Sequence, residues 1–150
     1  MILDERNEFC DAVALNTGAA GTYLLGEQID MTVARDLGNG CAPYLVITVD
    51  TLPTSGGAAT AQFTLASDAS TAIATDGSAS EHFKTKAFPI SQMAAGQVLA
   101  AVKLPMEGVE YERYLGILQT TGTAAFTGGK INAFLTMDVA KWKAYADATD

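Results

Sequence analysis

From residue 44 onward, apolar and polar residues alternate with a period of two rather than the 3.6 of a helix. Tyr44 to Asp50 is rich in β-formers, with Leu45, Ile47 and Val49 on one side and Tyr44, Val46 and Thr48 on the other. Pro53 with Thr54-Ser55-Gly56-Gly57 breaks this run and predicts a loop. Thr60 to Ser67 follows, with Phe63 and Leu65 inward and Gln62 and Thr64 outward, and Asp76-Gly77 marks a turn in the Ser/Ala/Thr-rich connection after it. Glu81 to Phe88 predicts a half-exposed strand with His82, Lys84 and Lys86 on one face. Gln97 to Leu104 buries Val98, Val102 and Leu104 and stops at Pro105, which cannot donate to a ladder. Tyr111 to Thr120 is apolar on both faces and belongs at the centre of a sheet. After Gly128-Gly129, Lys130 to Met137 alternates again. Ile29 to Ala34, closed by Asn39-Gly40, is a weaker strand. Short strands with turn signals between them predict an all-β, antiparallel β-sandwich or barrel.

Two segments depart from the alternation. Residues 1–28 are rich in Ala, Gly and Thr behind an acidic start, and they predict an extended N-terminal arm with partial order. The domain itself is then residues 29–150. At the other end, Asp138 to Ala146 reads as one short helix, with Asp138 as N-cap and Val139, Trp142 and Tyr145 at helical spacing. Trp142 either packs on the sandwich edge or anchors a subunit contact, where tryptophan is enriched.

Composition narrows the class. The chain has 150 residues, of which 49% are hydrophobic and 17% charged. That is enough for one ordered domain, with fewer charges than the roughly 25% of an average one. The formal net charge is −8, a field that repels a phosphate backbone and argues against nucleic-acid binding. Much of the acid lies early, in Asp4, Glu5, Glu8, Asp11, Glu27, Asp30 and Asp36, against only Arg6 and Arg35. The bland reading is a solvated, repelling arm; the functional one is an arm that docks on a basic partner. No apolar run is long enough to span a membrane, and the opening Met-Ile-Leu-Asp-Glu-Arg lacks the basic and apolar regions of a signal peptide. Synthesis in a reducing cytoplasm is expected, with Cys10 and Cys41 free; a disulfide between them is the alternative.

Candidate chemistry is sparse. His82 is the single histidine, and no G-x-S-x-G elbow presents a serine to it, so an exposed strand histidine is the expectation. One histidine and two distant cysteines do not make a zinc constellation. Gly128-Gly129-Lys130 lacks the flanking residues of a phosphate loop, with Ala124 and Ile131 at the required positions. Glu107, Glu110 and Glu112 could offer oxygen ligands to a hard cation, but they match no calcium-loop spacing, and a solvated turn is the default. No catalytic, cofactor or metal residue is assigned.

Taken in order, these stretches resemble the capsid cement (decoration) proteins of short-tailed bacteriophages, a family typified by a protein of a Bordetella phage. The resemblance runs from Met1-Ile2-Leu3-Asp4 with Phe9 and Asp11-Ala12, through Ile29-Asp30 and Ala34-Arg35-Asp36-Leu37-Gly38, to Tyr44-Leu45-Val46-Ile47 with Val49-Asp50. It continues with Gly57-Ala58-Ala59-Thr60, Ser67-Asp68, Leu104-Pro105 and Glu112-Arg113-Tyr114-Leu115. Gly129-Lys130-Ile131, Ala133-Phe134-Leu135-Thr136 and Asp138 with Trp142-Lys143-Ala144-Tyr145 complete it. Each motif is a short strand signature, and their joint order along nearly the whole chain carries the weight. Cys10, Cys41 and the 69–80 loop depart from the pattern.

The resemblance implies a jelly roll on the outer capsid surface of the virion, clamping neighbouring major capsid proteins, self-associated as a dimer or trimer, with no enzymatic activity. Ile2, Leu3 and Phe9 in the arm and Trp142 and Tyr145 in the tail are the candidate interface residues. The rival is a carbohydrate- or receptor-binding β-sandwich on the particle, which needs aromatics gathered on one exposed face; Tyr44, Tyr114 and Trp142 are its candidates. A jelly-roll metalloenzyme needs clustered histidines, which one histidine cannot supply.

Overall fold

The computed structural model describes residues 4–34 and 41–139. These residues form nine strands, all paired antiparallel, and two short 3-10 turns at Glu5–Asn7 and Ile90–Gln92. The strands are β1 (Glu8–Ala14), β2 (Gly21–Asp30), β3 (Tyr44–Thr54), β4 (Thr60–Asp68), β5 (Ser80–Lys84), β6 (Phe88–Pro89), β7 (Val98–Lys103), β8 (Tyr114–Gly122) and β9 (Gly128–Thr136). One sheet runs β1-β9-β3-β7; the other runs β2-β8-β4-β5, with β6 attached to β4.

The two sheets face each other across one core. Leu45, Ile47 and Val49 of β3 and Ile131, Ala133 and Leu135 of β9 meet Phe63 and Leu65 of β4 and Leu115 and Ile117 of β8. This is the alternation expected from the sequence, because successive side chains of a strand point to opposite faces. A smaller cluster sits on the outer face of the second sheet. There Ile73, from the β4–β5 connection, packs with Ala66, Ala79, Tyr114 and Leu118. Gly116 makes room for it, since a Cβ at that position would lie 2.6 Å from Ile73 Cδ1. The connection is therefore a covering flap with its own apolar anchor.

Residues 1–28 do not form an extended arm, as far as they are described. β1 pairs with β9, and β2 pairs with β8 along its length. Phe9, Cys10, Leu15 and Leu25 all lie in the main core. Gln119, fully enclosed, exchanges hydrogen bonds with the Asn16 backbone, accepting from its N–H at 2.9 Å and donating to its carbonyl at 3.2 Å. The alternation that would have announced these strands is broken by irregular register. β1 shifts register twice and holds Ala12 at φ 47, where its N–H donates to Asn132 Oδ1 at 2.6 Å. β2 shifts between Leu25 and Ile29, around Gly26 at φ +68.

Other boundaries move for physical reasons. The weak strand at 29–34 is only the last two residues of β2, after which Thr32 turns at φ 65 and donates its N–H to Asp30 Oδ1. Pro53 does not end β3. It is buried inside the strand, between the register points Thr51↔Lys130 and Thr54↔Gly128, and β7 pairs no further than Thr48. A proline is tolerated where the ladder is already interrupted. Gly129, opposite, sits at φ +118, and a Cβ there would come within 2.6 Å of Pro53 Cα. Gly128 and Gly129, expected to precede the last strand, are instead its first two residues. The proposed helix from Asp138 to Ala146 extends beyond the described residues, as do Trp142 and Tyr145.

Gly26 joins the edge strands of the two sheets. An added Cβ would lie 2.0 Å from the Phe9 carbonyl oxygen and 2.7 Å from Cys10 Sγ. Gly26→Ala should destabilise the protein by more than about 3 kcal/mol, from left-handed backbone and overpacking together. Gly77→Ala, at φ +93 with nothing within 4 Å, should cost about 1 kcal/mol. Urea unfolding of the two variants checks the contrast, and equal losses would show that β1 and β2 are not packed this closely.

Candidate functional site

The antiparallel register sorts the connections to two ends. Glu8↔Phe134, Asp30↔Tyr114, Tyr44↔Lys103 and Ser67↔Ser80 all lie at one end. The 31–43, 69–79 and 104–113 connections leave from that end, as does the chain after β9. It carries Val33 at 57% exposure, Met106 at 39%, Val109 at 58% and Met137 at 59%. These come from three separate segments. The other exposed large apolar residues among those described, Leu52 and Val98, lie toward the opposite end.

The 104–113 loop and the first residues after β2 are tied down. Arg113 grips Asp30 with two hydrogen bonds of 2.8 Å, and the Met31 N–H donates to the Arg113 carbonyl at 2.9 Å. The Arg113 guanidinium and the Thr32 N–H hold the Asp30 carboxyl at about 2. This pair is about half exposed, so it fixes geometry more than it adds stability. The Tyr111 hydroxyl donates to the Pro105 carbonyl at 2.9 Å and closes the 104–113 loop on itself.

His82 is the pin of this end. β5 shifts register at that residue, between Leu65↔Phe83 and Ala66↔Glu81, and the ring leaves the outer face that alternation assigned it. It stacks on Tyr111, with ring centres 3.9 Å apart and planes 17° apart, and its Nε2 lies 2.7 Å from Ser67 Oγ. Ser67 Oγ also accepts the Glu112 N–H at 2.9 Å, so this hydroxyl bridges the imidazole and the 104–113 loop. Ser80 Oγ donates to Glu112 Oε1 at 2.7 Å. Burial pushes the His82 pKa down, and the Glu112 charge opposes this more weakly.

Serine, histidine and glutamate thus come together, which the sequence reading did not anticipate because Ser67, His82 and Glu112 lie in three different segments. Ser67, however, has no exposed surface, and the Glu112 carboxylate engages Ser80 rather than the histidine. The arrangement clamps the 104–113 loop to the β4–β5 hairpin; a substrate carbonyl could not reach the hydroxyl. With Glu112 turned to Ser80, Glu107 and Glu110 are left without a third carboxylate. Among the described residues no group of three metal-ligating side chains converges.

Of the candidate interface residues, Ile2, Leu3, Trp142 and Tyr145 lie outside the described residues. Phe9 is enclosed in the core, a place that leaves its side chain nothing to offer a partner. The aromatic platform of the rival reading is not formed by Tyr44 and Tyr114, which stand on different sheets, Tyr114 beneath the Arg113 guanidinium. The early acids do gather. Glu5, Glu8, Asp11 and Glu27 line an open cleft of about 440 Å³ beside β1. Burial, then the charges of Asp11, Glu5 and Asp4, raises the Glu8 pKa.

A comparison with protein-family models matches residues 9–135 to Bbp16, a family of Bordetella phage proteins. The match runs from β1 to β9 and so takes in both sheets. The chain belongs to the Bbp16 family. No curated protein sequence matches it. Membership of this Bordetella phage protein family is consistent with a phage protein and agrees with the resemblance at the level of phage family.

Two measurements test the packing at this end. His82 has a folded pKa below its ordinary 6.5, so folding resists its protonation. Stability should be flat above pH 6.5 from this group, and should fall as pH drops below 6.5 and the unfolded chain takes up the proton. His82→Asn should flatten the dependence of the urea midpoint between about pH 7 and 5.5; an unchanged slope would remove the buried, neutral histidine. Cys10 and Cys41 are both free, Cys10 buried and Cys41 exposed. Burial pushes the Cys10 thiol up to about 12. A thiol reagent should modify Cys41 alone in the native protein and reach Cys10 only on unfolding, without reductant.

Proposed function

We propose that this protein is a non-enzymatic structural component of the phage particle, bound to the outer capsid surface, where it stabilises contacts between neighbouring major capsid proteins. The observation that carries the reading is the loop-rich end, where Met106 and Val109 hold apolar side chains in solvent on a pinned loop, with Val33 and Met137 exposed at the same end. Apolar groups gathered on a rigid frame mark an interaction surface. The sheet orders β1-β9-β3-β7 and β2-β8-β4-β5 are those of a jelly roll, with β6 as an appendage.

Such a protein acts by burying surface across a seam between subunits. Anything that binds only the assembled shell stabilises it by mass action. A dimer or trimer of the chain presents two or three such ends at once, and many copies on one shell make modest contacts strong together. The acidic cleft beside β1 adds a field that favours a basic partner surface.

Purified protein should bind expanded shells that lack it, bind free capsid subunits weakly, and raise the shell rupture temperature until its sites fill. Burial of an aliphatic side chain is worth about 1.5–3 kcal/mol, so Met106→Glu with Val109→Glu should weaken binding at least about tenfold. Leu52→Glu, toward the opposite end, should leave binding unchanged. A folded protein that ignores expanded shells of its own phage, or an equal loss from Leu52→Glu, would refute the assignment.

A further inference from the structure

The β1-β9-β3-β7 sheet has an outer face as enclosed as its inner one. Leu45 and Ile47 of β3 and Ala133 and Leu135 of β9 point into the main core, so Val46, Thr48, Phe134 and Thr136 point away from it. The outer face of an antiparallel sheet is ordinarily polar and solvated. Here Val46 is 0% exposed and Phe134 3%, and the two are register partners. They belong neither to the main core nor to the cluster around Ile73. Of the described elements outside the sheet, the 3-10 turn Glu5–Asn7 touches β9 at the β1 edge, and Ile90–Gln92 meets β3 from the core side through Ile90. Those two positions leave the middle of the outer face to something else. Ala101, the β7 neighbour of Val46, is exposed, so whatever encloses Val46 and Phe134 lies over β3 and β9.

The chain itself leads onto this face. β9 ends at Thr136, and the Thr136 hydroxyl, on the outer face, accepts the Asp138 N–H and donates to the Asp138 carbonyl, both at 3.2 Å. These bonds bend the chain at Met137 and turn it toward the side on which Phe134 stands. Met137 and Asp138 are exposed, but Val139 is half-buried again. Residues 140–150 follow, with Trp142 and Tyr145 at helical spacing from Val139. A helix begun at Asp138 rises about 1.5 Å per residue, which carries Trp142 ~6 Å and Tyr145 ~10 Å along its axis. At ~3.4 Å per strand residue, Phe134 lies ~7 Å and Asn132 ~14 Å back from Thr136. Trp142 therefore falls level with Phe134 and Val46, and Tyr145 falls between that pair and the next one, Thr48 and Asn132.

We propose that the outer face of this sheet is the docking surface for the chain's own residues 140–150, a strap that seats Trp142 on Phe134 and Val46. The Thr136–Asp138 turn delivers this segment to the face within one chain, with no loss of translational freedom to offset. Charge agrees. Glu8 is the β1 register partner of Phe134 and lies beside Glu5 and Asp11, and on a helix Lys141 and Lys143 stand to either side of Trp142. The strap fastens the exit of β9, next to Met137 at the loop-rich end. It also takes Trp142 and Tyr145 out of the set of residues free to meet another protein. The inference does not rest on the capsid assignment.

Trp142 is its own probe, because it is the single tryptophan of the chain. In the full-length native protein its fluorescence should lie to the blue of the urea-unfolded chain and be quenched several-fold less by iodide, at every protein concentration. Phe134→Ala removes the seat, so emission should move to the red and quenching should rise while the far-ultraviolet circular dichroism keeps its β signature. Val46→Ala, a smaller change at the same seat, gives the same readout if Phe134→Ala does not fold. Val98→Ser, at an exposed position on the β7 edge of the same sheet, should leave the emission unchanged. Emission and quenching like those of the unfolded chain would overturn the proposal, as would emission that neither seat substitution moves. A blue emission lost on dilution would overturn it too, by assigning the seat to the tail of a second copy.

Discussion

Every feature of this protein depends on the closure of two sheets over one apolar layer. The seam between β3 and β9 on one side and β4 and β8 on the other is built from Leu45, Ile47, Val49, Ile131 and Ala133 against Phe63, Leu65, Leu115 and Ile117. A sheet buries only alternate residues on each face, so both sheets must present their apolar sets to the same gap. Once they do, the register is fixed, and with it which connections share an end. The loop-rich end and the His82 clamp both follow from that register. A slip of one residue in β4 would turn Thr64 into the core and Phe63 into solvent.

How far the sequence reveals this differs by segment. Where alternation is uninterrupted, as in Leu45–Val49, Phe63–Leu65 and Ile131–Leu135, strand and buried face are legible directly. Where the chain bends between the sheets, the period is lost. Phe9, Cys10, Leu15 and Leu25 are core residues, but Ala12 and Gly26 interrupt their spacing with left-handed backbone, and the stretch reads as an arm. Pro53 shows the reverse error, since a residue that ordinarily stops a strand is accommodated at a bulge against Gly129. These are tertiary effects, set by how β1 approaches β2 and β3 approaches β9, and a local pattern cannot report them.

The candidate surfaces were less legible than the fold. Met106 and Val109 look unremarkable in a sequence, because exposed apolar residues are common when scattered. Only topology brings them to the same end as Val33 and Met137. Ser67, His82 and Glu112 likewise converge through a register shift in β5 that no spacing rule foretells. Their chemistry is that of a structural clamp, which holds the 104–113 loop so that its apolar side chains stay presented. Family membership supplies the phage context; the presented end supplies a physical reason to look for a partner there.

The most direct test of the central claim is a cryo-electron microscopy reconstruction of expanded shells saturated with this protein. The account predicts density for the sandwich above seams between neighbouring major capsid proteins, oriented with Val33, Met106, Val109 and Met137 toward the shell. Density that contacts the shell through the Leu52 end, or sits on the middle of a single capsid subunit away from any seam, would contradict it.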